Sequence, residues 1–276
     1  MSLKRILVHY DATPRGERAL TMALTLAQAQ DAHLIGCAVE AEPRIPTYAA
    51  AQIPADVIDV LIAEQHKVIE NAHKAFDKAM DANGWSDRSE FIETRGDVSR
   101  MLSKIGRGCD LIVVGQSEPD KEALEVEELP DNLVLESGRP ILIVPYIGNR
   151  KPVGGHALLC WNDTREAARA MSDSLPLLNA ASKVTVLSVD TTGRQTEVTG
   201  AGAARFLSAH GLDAELRRMP ASGLDVGSAI LNEAADVGAD LIVMGAYGHS
   251  RLRESILGGA TNTILKDMTL PVVMSH

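Results

Sequence analysis

The sequence predicts an α/β protein of two tandem doubly wound domains, each a five-stranded parallel sheet with helices on both faces. Short apolar runs typical of buried strands alternate with stretches in which apolar residues recur every three or four positions, as on amphipathic helices. This order occurs twice in 276 residues, a length that suits two domains. Because only 3% of the residues are aromatic, the cores must consist of Ala, Val, Leu and Ile, as in parallel sheets covered by alanine-rich helices.

The first domain, predicted over residues 1–147, contains five strands separated by helices. Its first apolar run starts at Arg5 and ends at Asp11, and a helical pattern of Ala and Leu follows. A proline-bearing loop and a long helix at about 55–83 follow the second strand, and another helix is predicted near 98–107. The other four strands are predicted at 33–39, 89–93, 111–114 and 140–144.

The second domain, predicted over residues 153–276, repeats this order with about 20 fewer residues between its second and fourth strands. Its first run, Ala157 to Asp163, parallels Arg5 to Asp11, so Asp163 is predicted to be the counterpart of Asp11. Further strands are predicted at 183–189, 214–218, 241–244 and 271–274, with a helix at 224–237. The segment 147–155 contains Gly and Pro, lacks apolar periodicity and is interpreted as the linker.

Composition excludes several functions. A formal net charge of −10 argues against non-specific binding to nucleic acid or to an anionic membrane. No apolar run approaches the roughly 18 residues that a membrane span needs, and no signal-peptide pattern is seen, so we expect a cytoplasmic protein. The three cysteines are widely spaced, form no CxxC pair and are interpreted as small core residues.

A glycine-rich stretch after the fourth strand of the second domain is the main indication of function. Gly245 and Gly248 leave the backbone N–H groups accessible, as a phosphate site requires. A helix predicted to start near Gly258 would add free N–H groups and a favourable dipole. His249, Arg251 and Arg253 add positive charge, and Asp163 could accept hydrogen bonds from a base or ribose. A glycine turn that serves packing alone is the competing interpretation.

The spacing G-x2-G-x9-G, together with an Asp after the first strand, resembles the nucleotide-binding type of universal stress protein. The resemblance covers nearly the whole chain as two tandem domains. It implies that the glycine stretch holds the phosphates of ATP or AMP and that Asp163 and Val189 contact the adenosine. The resemblance implies nucleotide-binding roles for Asp163, Val189, Gly245, Gly248, Gly258 and Gly259. The nearby positive charge and the predicted helix start add four further nucleotide-binding candidates, His249, Arg251, Ala260 and Thr261.

One position departs from the family pattern. Gly259 stands where the family has Ser or Thr, which keeps the N–H group but loses a hydroxyl donor, a loss of about 1.5–3 kcal/mol for a bond to a charged group. Thr261 is a candidate substitute. No metal site can be read from the sequence pattern, although Asp163 and Asp190 are candidate ligands for an Mg²⁺ that accompanies ATP.

The first domain resembles the same unit with its phosphate site removed. Asp11, Val39 and Gly115 remain, whereas Glu118 replaces the second glycine. Glu127 and Glu128 replace the last glycine pair. Carboxylates in these positions would repel a phosphate chain, by about 1 kcal/mol or more each, so no nucleotide is predicted in this domain.

The leading hypothesis is therefore a stress-linked regulatory protein that binds an adenine nucleotide in its second domain only and acts on an unknown signalling partner. Slow ATP hydrolysis at the same site is the second hypothesis, although no carboxylate is obviously placed as a base. A ligand-free interaction protein is the third. The two domains are expected to pair through their last strands, 141–145 and 271–275, as an intramolecular pseudo-dimer, and a homodimer of such units is an open alternative.

Overall fold

A computed structural model describes residues 2–41, 55–117, 129–148, 153–190, 200–220, 223, 225–248 and 259–276. The first five strands belong to the N-terminal half and the last five to the C-terminal half. Within the N-terminal half the elements are β1 (Arg5–His9), α1 (Pro14–Gln30), β2 (His33–Glu40), α2 (Ala55–Ala82), β3 (Ser89–Arg95), α3 (Val98–Gly106), β4 (Leu111–Gly115), α4 (Leu129–Glu136) and β5 (Ile141–Val144).

The C-terminal half repeats this order. Its elements are β6 (His156–Cys160), α5 (Arg165–Asp173), α6 (Leu175–Leu178), β7 (Lys183–Asp190), α7 (Ala201–Ala209), β8 (Ala214–Pro220), α8 (Val226–Asp236), β9 (Leu241–Gly245), α9 (Ala260–Asp267) and β10 (Val272–Ser275). The predicted fold class is confirmed, and the predicted strand positions agree with these bounds to within one or two residues at most ends. The domain bounds 1–147 and 153–276 stay a prediction.

All ten strands form one sheet with the order β3-β2-β1-β4-β5-β10-β9-β6-β7-β8. Pairing is parallel within each half, while β5 and β10 pair antiparallel with Leu142 opposite Val273. The last strands therefore join the two halves, as expected. Because the strands of each half run parallel, the carboxyl ends of β6, β7 and β9 meet at one edge of the sheet, which is where ligands bind in open α/β sheets.

Helices cover both faces of the sheet because both faces are apolar. Along β1 the side chains alternate, so that Ile6 and Val8 enter one core and Leu7 enters the other, and all three are fully buried. Helices α1, α2, α5, α6 and α7 contribute to the first core, and α3, α4, α8 and α9 contribute to the second.

Equivalent polar contacts begin equivalent helices in the two halves. Thr13 caps α1 and Thr164 caps α5, each side chain accepting from the N–H group three residues on. Asp97 caps α3 in the same way as Asp225 caps α8. These caps satisfy N–H groups that have no partner within the helix. They also fix the residue-by-residue correspondence between the halves.

Gln116, the residue after β4, joins the two halves through buried hydrogen bonds. Its side chain is 2% exposed, and its Nε2 donates to the carbonyl oxygens of Leu265 (2.8 Å) and Lys266 (3.0 Å) at the end of α9. Its Oε1 accepts from the N–H group of Tyr146 at 3.1 Å. One side chain thus provides hydrogen-bond partners for the last carbonyl groups of α9 and for the N–H group of Tyr146 after β5.

We expect Gln116→Ala to lower the free energy of unfolding by about 1–3 kcal/mol, because buried carbonyl and N–H groups would lose their partner. Denaturant unfolding followed by circular dichroism measures this. Gln30→Ala is the matched control, since Gln30 is half-buried and makes a single long bond across the halves, 3.4 Å to the carbonyl of Pro176. Equal losses in the two variants would contradict this role for Gln116.

Candidate functional site

Gly245, the last residue of β9, lies directly against the first turn of α5. A Cβ at this position would lie 2.5 Å from the backbone nitrogen of Ala167 and 2.5 Å from the carbonyl carbon of Glu166. Gly115, the last residue of β4, lies in the same way against Arg15 in α1. This glycine is therefore required for helix–strand packing in both halves, and its presence alone does not indicate a phosphate site.

The turn after β9 is held against α9. Tyr247 adopts a left-handed conformation (φ 57°), and its N–H group donates to the hydroxyl oxygen of Thr261, a buried residue, at 3.5 Å. The N–H group of Ala246 donates to the carbonyl of Ser275 at 2.9 Å. The structure thus brings the turn that carries Gly245 and Gly248 to the start of α9. The hydroxyl of Thr261 accepts a bond that braces this turn.

The start of α9 differs chemically from its counterpart α4. Gly259 is the N-cap of α9 and has no side chain to bond the N–H groups of the first turn, which begins with Ala260 and Thr261. Both helices have eight residues and end five positions before the next strand, so Leu129 and Pro130 of α4 take the places of Ala260 and Thr261. Proline has no N–H group, and Leu129 is buried. Of these two described helix starts, the C-terminal one therefore has an N–H group on both residues, whereas the N-terminal one has a proline.

Glu166 is a site residue that the sequence did not reveal. It is 3% exposed, and its Oε2 lies 3.1 Å from where a Cβ on Gly248 would be. Its Oε1 accepts from Nε of Arg165, whose side chain is 85% exposed. Burial alone would raise the pKa of Glu166, but hydrogen bonds from Arg165 and from its own N–H group outweigh burial and lower the pKa. A carboxylate that is charged at neutral pH thus borders the glycine turn.

The predicted correspondence between Asp163 and Asp11 is wrong by one residue. Asp11 accepts from the hydroxyl of Thr13 at 2.5 Å, and Asn162 accepts from the hydroxyl of Thr164 at 2.8 Å. Asp163 instead takes the left-handed position of Ala12, with φ values of 60° and 56°. Apolar runs alone do not decide which residue matches Asp11, because Asn162 and Asp163 both lie between the apolar run of β6 and the helix cap Thr164. The cap geometry decides it, so Asn162 is the counterpart of Asp11.

The remaining predicted residues are placed as follows. Val189 is half-buried near the carboxyl end of β7, and Asp190 accepts from Nη2 of Arg218 at 2.5 Å. No group of three or more His, Cys, Asp or Glu side chains suited to a metal was found in the part of the chain that the structure describes. His249, Arg251, Arg253 and Gly258 lie outside the described residues, as do Glu118, Glu127 and Glu128 of the N-terminal half.

The equivalent place in the N-terminal half, at the start of α1, holds an ion pair. Arg15, at the position of Glu166, is 6% exposed, and its Nη2 lies 3.1 Å from Oδ2 of Asp11. Buried His9 lies beside this pair, and its pKa is lowered to about 4, chiefly by burial, which the negative charge of Asp11 opposes and the positive charge of Arg15 reinforces. The two halves therefore place opposite charges at one backbone position.

Two segments of the chain, residues 2–145 and 164–276, match the universal stress protein family. The chain belongs to the universal stress protein family. This confirms the family resemblance seen in the sequence. No curated protein sequence matches the chain.

Among solved structures, a universal stress protein from Archaeoglobus fulgidus is 15% identical with a TM-score of 0.74, covering 98% of this chain and 95% of that one. A putative universal stress protein from Pseudomonas aeruginosa is 18% identical with a TM-score of 0.60, covering 99% of this chain and 93% of that one. At these identities the likeness establishes the fold. In this universal stress protein, no helix among the described residues is long and apolar enough to cross a membrane. Cytoplasmic location stays a prediction.

A separate cavity of about 430 Å³ lies beside α1 in the N-terminal half. Residues of α1 form one wall and residues 144–148 form the other. None of the predicted nucleotide-binding residues lines it, so it is distinct from the glycine turn.

Stability of this universal stress protein should fall between pH 6.5 and pH 4 because of His9. Its pKa is lower in the folded state, so the unfolded chain takes up the proton first and is favoured as the pH drops. The loss reaches about 3 kcal/mol at pH 4 for a shift of this size. Thermal unfolding at pH 7, 6, 5 and 4 measures it.

His9→Asn should give a flatter stability profile between pH 6.5 and 4, whereas His210→Asn, a change at an exposed residue, should leave the slope as in the wild type. Parallel profiles for all three proteins would contradict the assignment to His9.

Proposed function

We propose that this universal stress protein is a regulatory binding protein that takes an adenine nucleotide, ATP or AMP, in its C-terminal half only. The observation that carries the proposal is the start of α9. There, Gly259 has no side chain to cap the helix, Ala260 is small, and Thr261 ties this helix end to the turn at Tyr247. A helix N-terminus next to a glycine turn favours an anion through free donors and the helix dipole.

The N-terminal half lacks the same donors at the equivalent place. Pro130 provides no N–H group, and Leu129 adds a large side chain where the C-terminal half has Ala260. Between the end of β1 and the start of α1, Asp11 already pairs with Arg15. These features support binding in one half rather than both.

The adenosine would lie along the carboxyl ends of β6 and β7. Val189 offers an apolar contact for the base at the end of β7. Asn162 is a second candidate contact beside the exposed Asp163, because its amide follows β6 at the position of Asp11. Mg²⁺ could accompany the phosphates of ATP, with the phosphates themselves as ligands.

Calorimetric titration of the full chain with AMP and with ATP tests the proposal. We expect saturable binding to the wild type and binding weaker by about ten-fold or more in Gly248→Ala, because the added methyl group covers the turn and loss of one hydrogen bond to a charged group costs about 1.5–3 kcal/mol. Among the described residues, the atoms nearest the new Cβ are the side-chain ends of Glu166 and Thr164, which can shift by the few tenths of an ångström that the contact needs, so the fold should tolerate it.

Gly202→Ala is the matched control, since a Cβ there, on α7, would meet nothing within 4 Å. Absence of binding by the wild type up to millimolar nucleotide would exclude the proposal and leave the ligand-free interaction protein. Phosphate release in the same samples tests slow hydrolysis. Equal release by the wild type and by Gly248→Glu would assign that activity to a contaminant.

A further inference from the structure

We propose that Glu166 sets the charge preference of the C-terminal site, so that it selects adenine ligands with little phosphate charge over ATP. This inference rests on the proposed function, because it assumes that the phosphates approach the turn at Gly248. It concerns a different property, namely which member of the adenine class the site prefers.

The carboxylate of Glu166 lies next to the turn to which a phosphate would bind. Its Oε2 is 3.1 Å from the Cβ position of Gly248, and Oγ1 of Thr164 lies 3.8 Å from the same point. Gly248 is exposed whereas Glu166 is buried, so the carboxylate lies beneath the exposed surface of the turn. A phosphate bound to the N–H groups of this turn would therefore be close to a fixed negative charge.

The negative charge is not a requirement of the fold. Thr13 and Thr164 are equivalent helix caps, so Arg15 and Glu166 occupy the same second position of α1 and α5. Both side chains are buried, and each pairs with an opposite charge close in sequence, Asp11 for Arg15 and Arg165 for Glu166. The same backbone geometry thus accepts a side chain of either charge. The negative charge of Glu166 therefore affects any charged ligand that binds next to it.

Arg165 does not fully neutralise the negative charge of Glu166 on the side that faces the turn. Arg165 contacts Oε1 through Nε, while its side chain is 85% exposed and surrounded by water. Solvent screens such an exposed cation more strongly than it screens the buried carboxylate. The oxygen nearest Gly248 is Oε2. Each additional phosphate charge near the turn should therefore weaken binding, while an uncharged adenosine should be unaffected.

The experiment is titration of the full chain with adenosine, AMP and ATP, without Mg²⁺ and at low ionic strength. In the wild type we expect ATP to bind less tightly than AMP. In Glu166→Gln, which keeps the shape of the side chain, we expect ATP binding to strengthen by about ten-fold or more, AMP binding to strengthen less, and adenosine binding to stay within about two-fold.

Glu233→Gln is the matched control. Glu233 is another buried glutamate (5% exposed) in the C-terminal half, and it pairs with the half-exposed Arg217 at 2.5 Å. It lies on α8 rather than at the turn, so this variant should keep the wild-type order of affinities. Arg165→Gln, a change at an exposed side chain, should move the ratio of ATP to adenosine affinity in the opposite direction from Glu166→Gln.

The outcomes separate this inference from the proposed function. If nucleotides bind and Gly248→Ala weakens them, but Glu166→Gln leaves the ratio of ATP to adenosine affinity unchanged, the role of Glu166 is wrong and the site stands. An equal gain in Glu233→Gln would also overturn it. If neither AMP nor ATP binds to the wild type up to millimolar concentration, the proposed function itself fails.

Discussion

The pairing of β5 with β10 is the contact on which the arrangement of the two halves depends. Each half has a five-stranded sheet whose last strand would otherwise be an edge, and the two edges meet with backbone hydrogen bonds between them. Exposed edges pair readily because their N–H and C=O groups lack partners. Once the strands are paired, Gln116 can reach the end of α9, and the hydroxyl of Tyr247 can bond Asp131 at the start of α4. The turn that carries the candidate site is therefore part of the junction between the halves.

The two halves repeat one backbone with different chemistry at the carboxyl ends of their strands. In both, a glycine at the end of the fourth strand lets the first helix approach closely, and a threonine caps that helix. The difference lies in a few side chains: Arg15 against Glu166, Asp11 against Asn162, and Pro130 against Thr261. Both sets of side chains fit the same fold, so the two halves can differ in charge at these positions.

Glu166 also explains why a glycine pattern is a poor measure of anion affinity. Bare N–H groups favour a phosphate, whereas a buried carboxylate close behind them opposes it. The net effect depends on the distance between the two, and Glu166 precedes Gly248 by more than eighty positions in the sequence. Under the proposed function, such a site would bind adenine ligands and still discriminate among them by charge.

The sequence by itself determined the fold class, the tandem repeat and nearly every strand, because apolar periodicity and glycine or proline breaks are local properties of the chain. It also predicted the glycine turn and a chemical difference just before α4 and α9, where Glu127 and Glu128 replace Gly258 and Gly259. Only the tertiary structure decided that Asn162 rather than Asp163 matches Asp11, since a shift of one residue leaves an apolar run unchanged and the cap geometry distinguishes the two. Only the tertiary structure placed Glu166 beside Gly248, because the approach of α5 to the end of β9 joins residues that no sequence pattern connects.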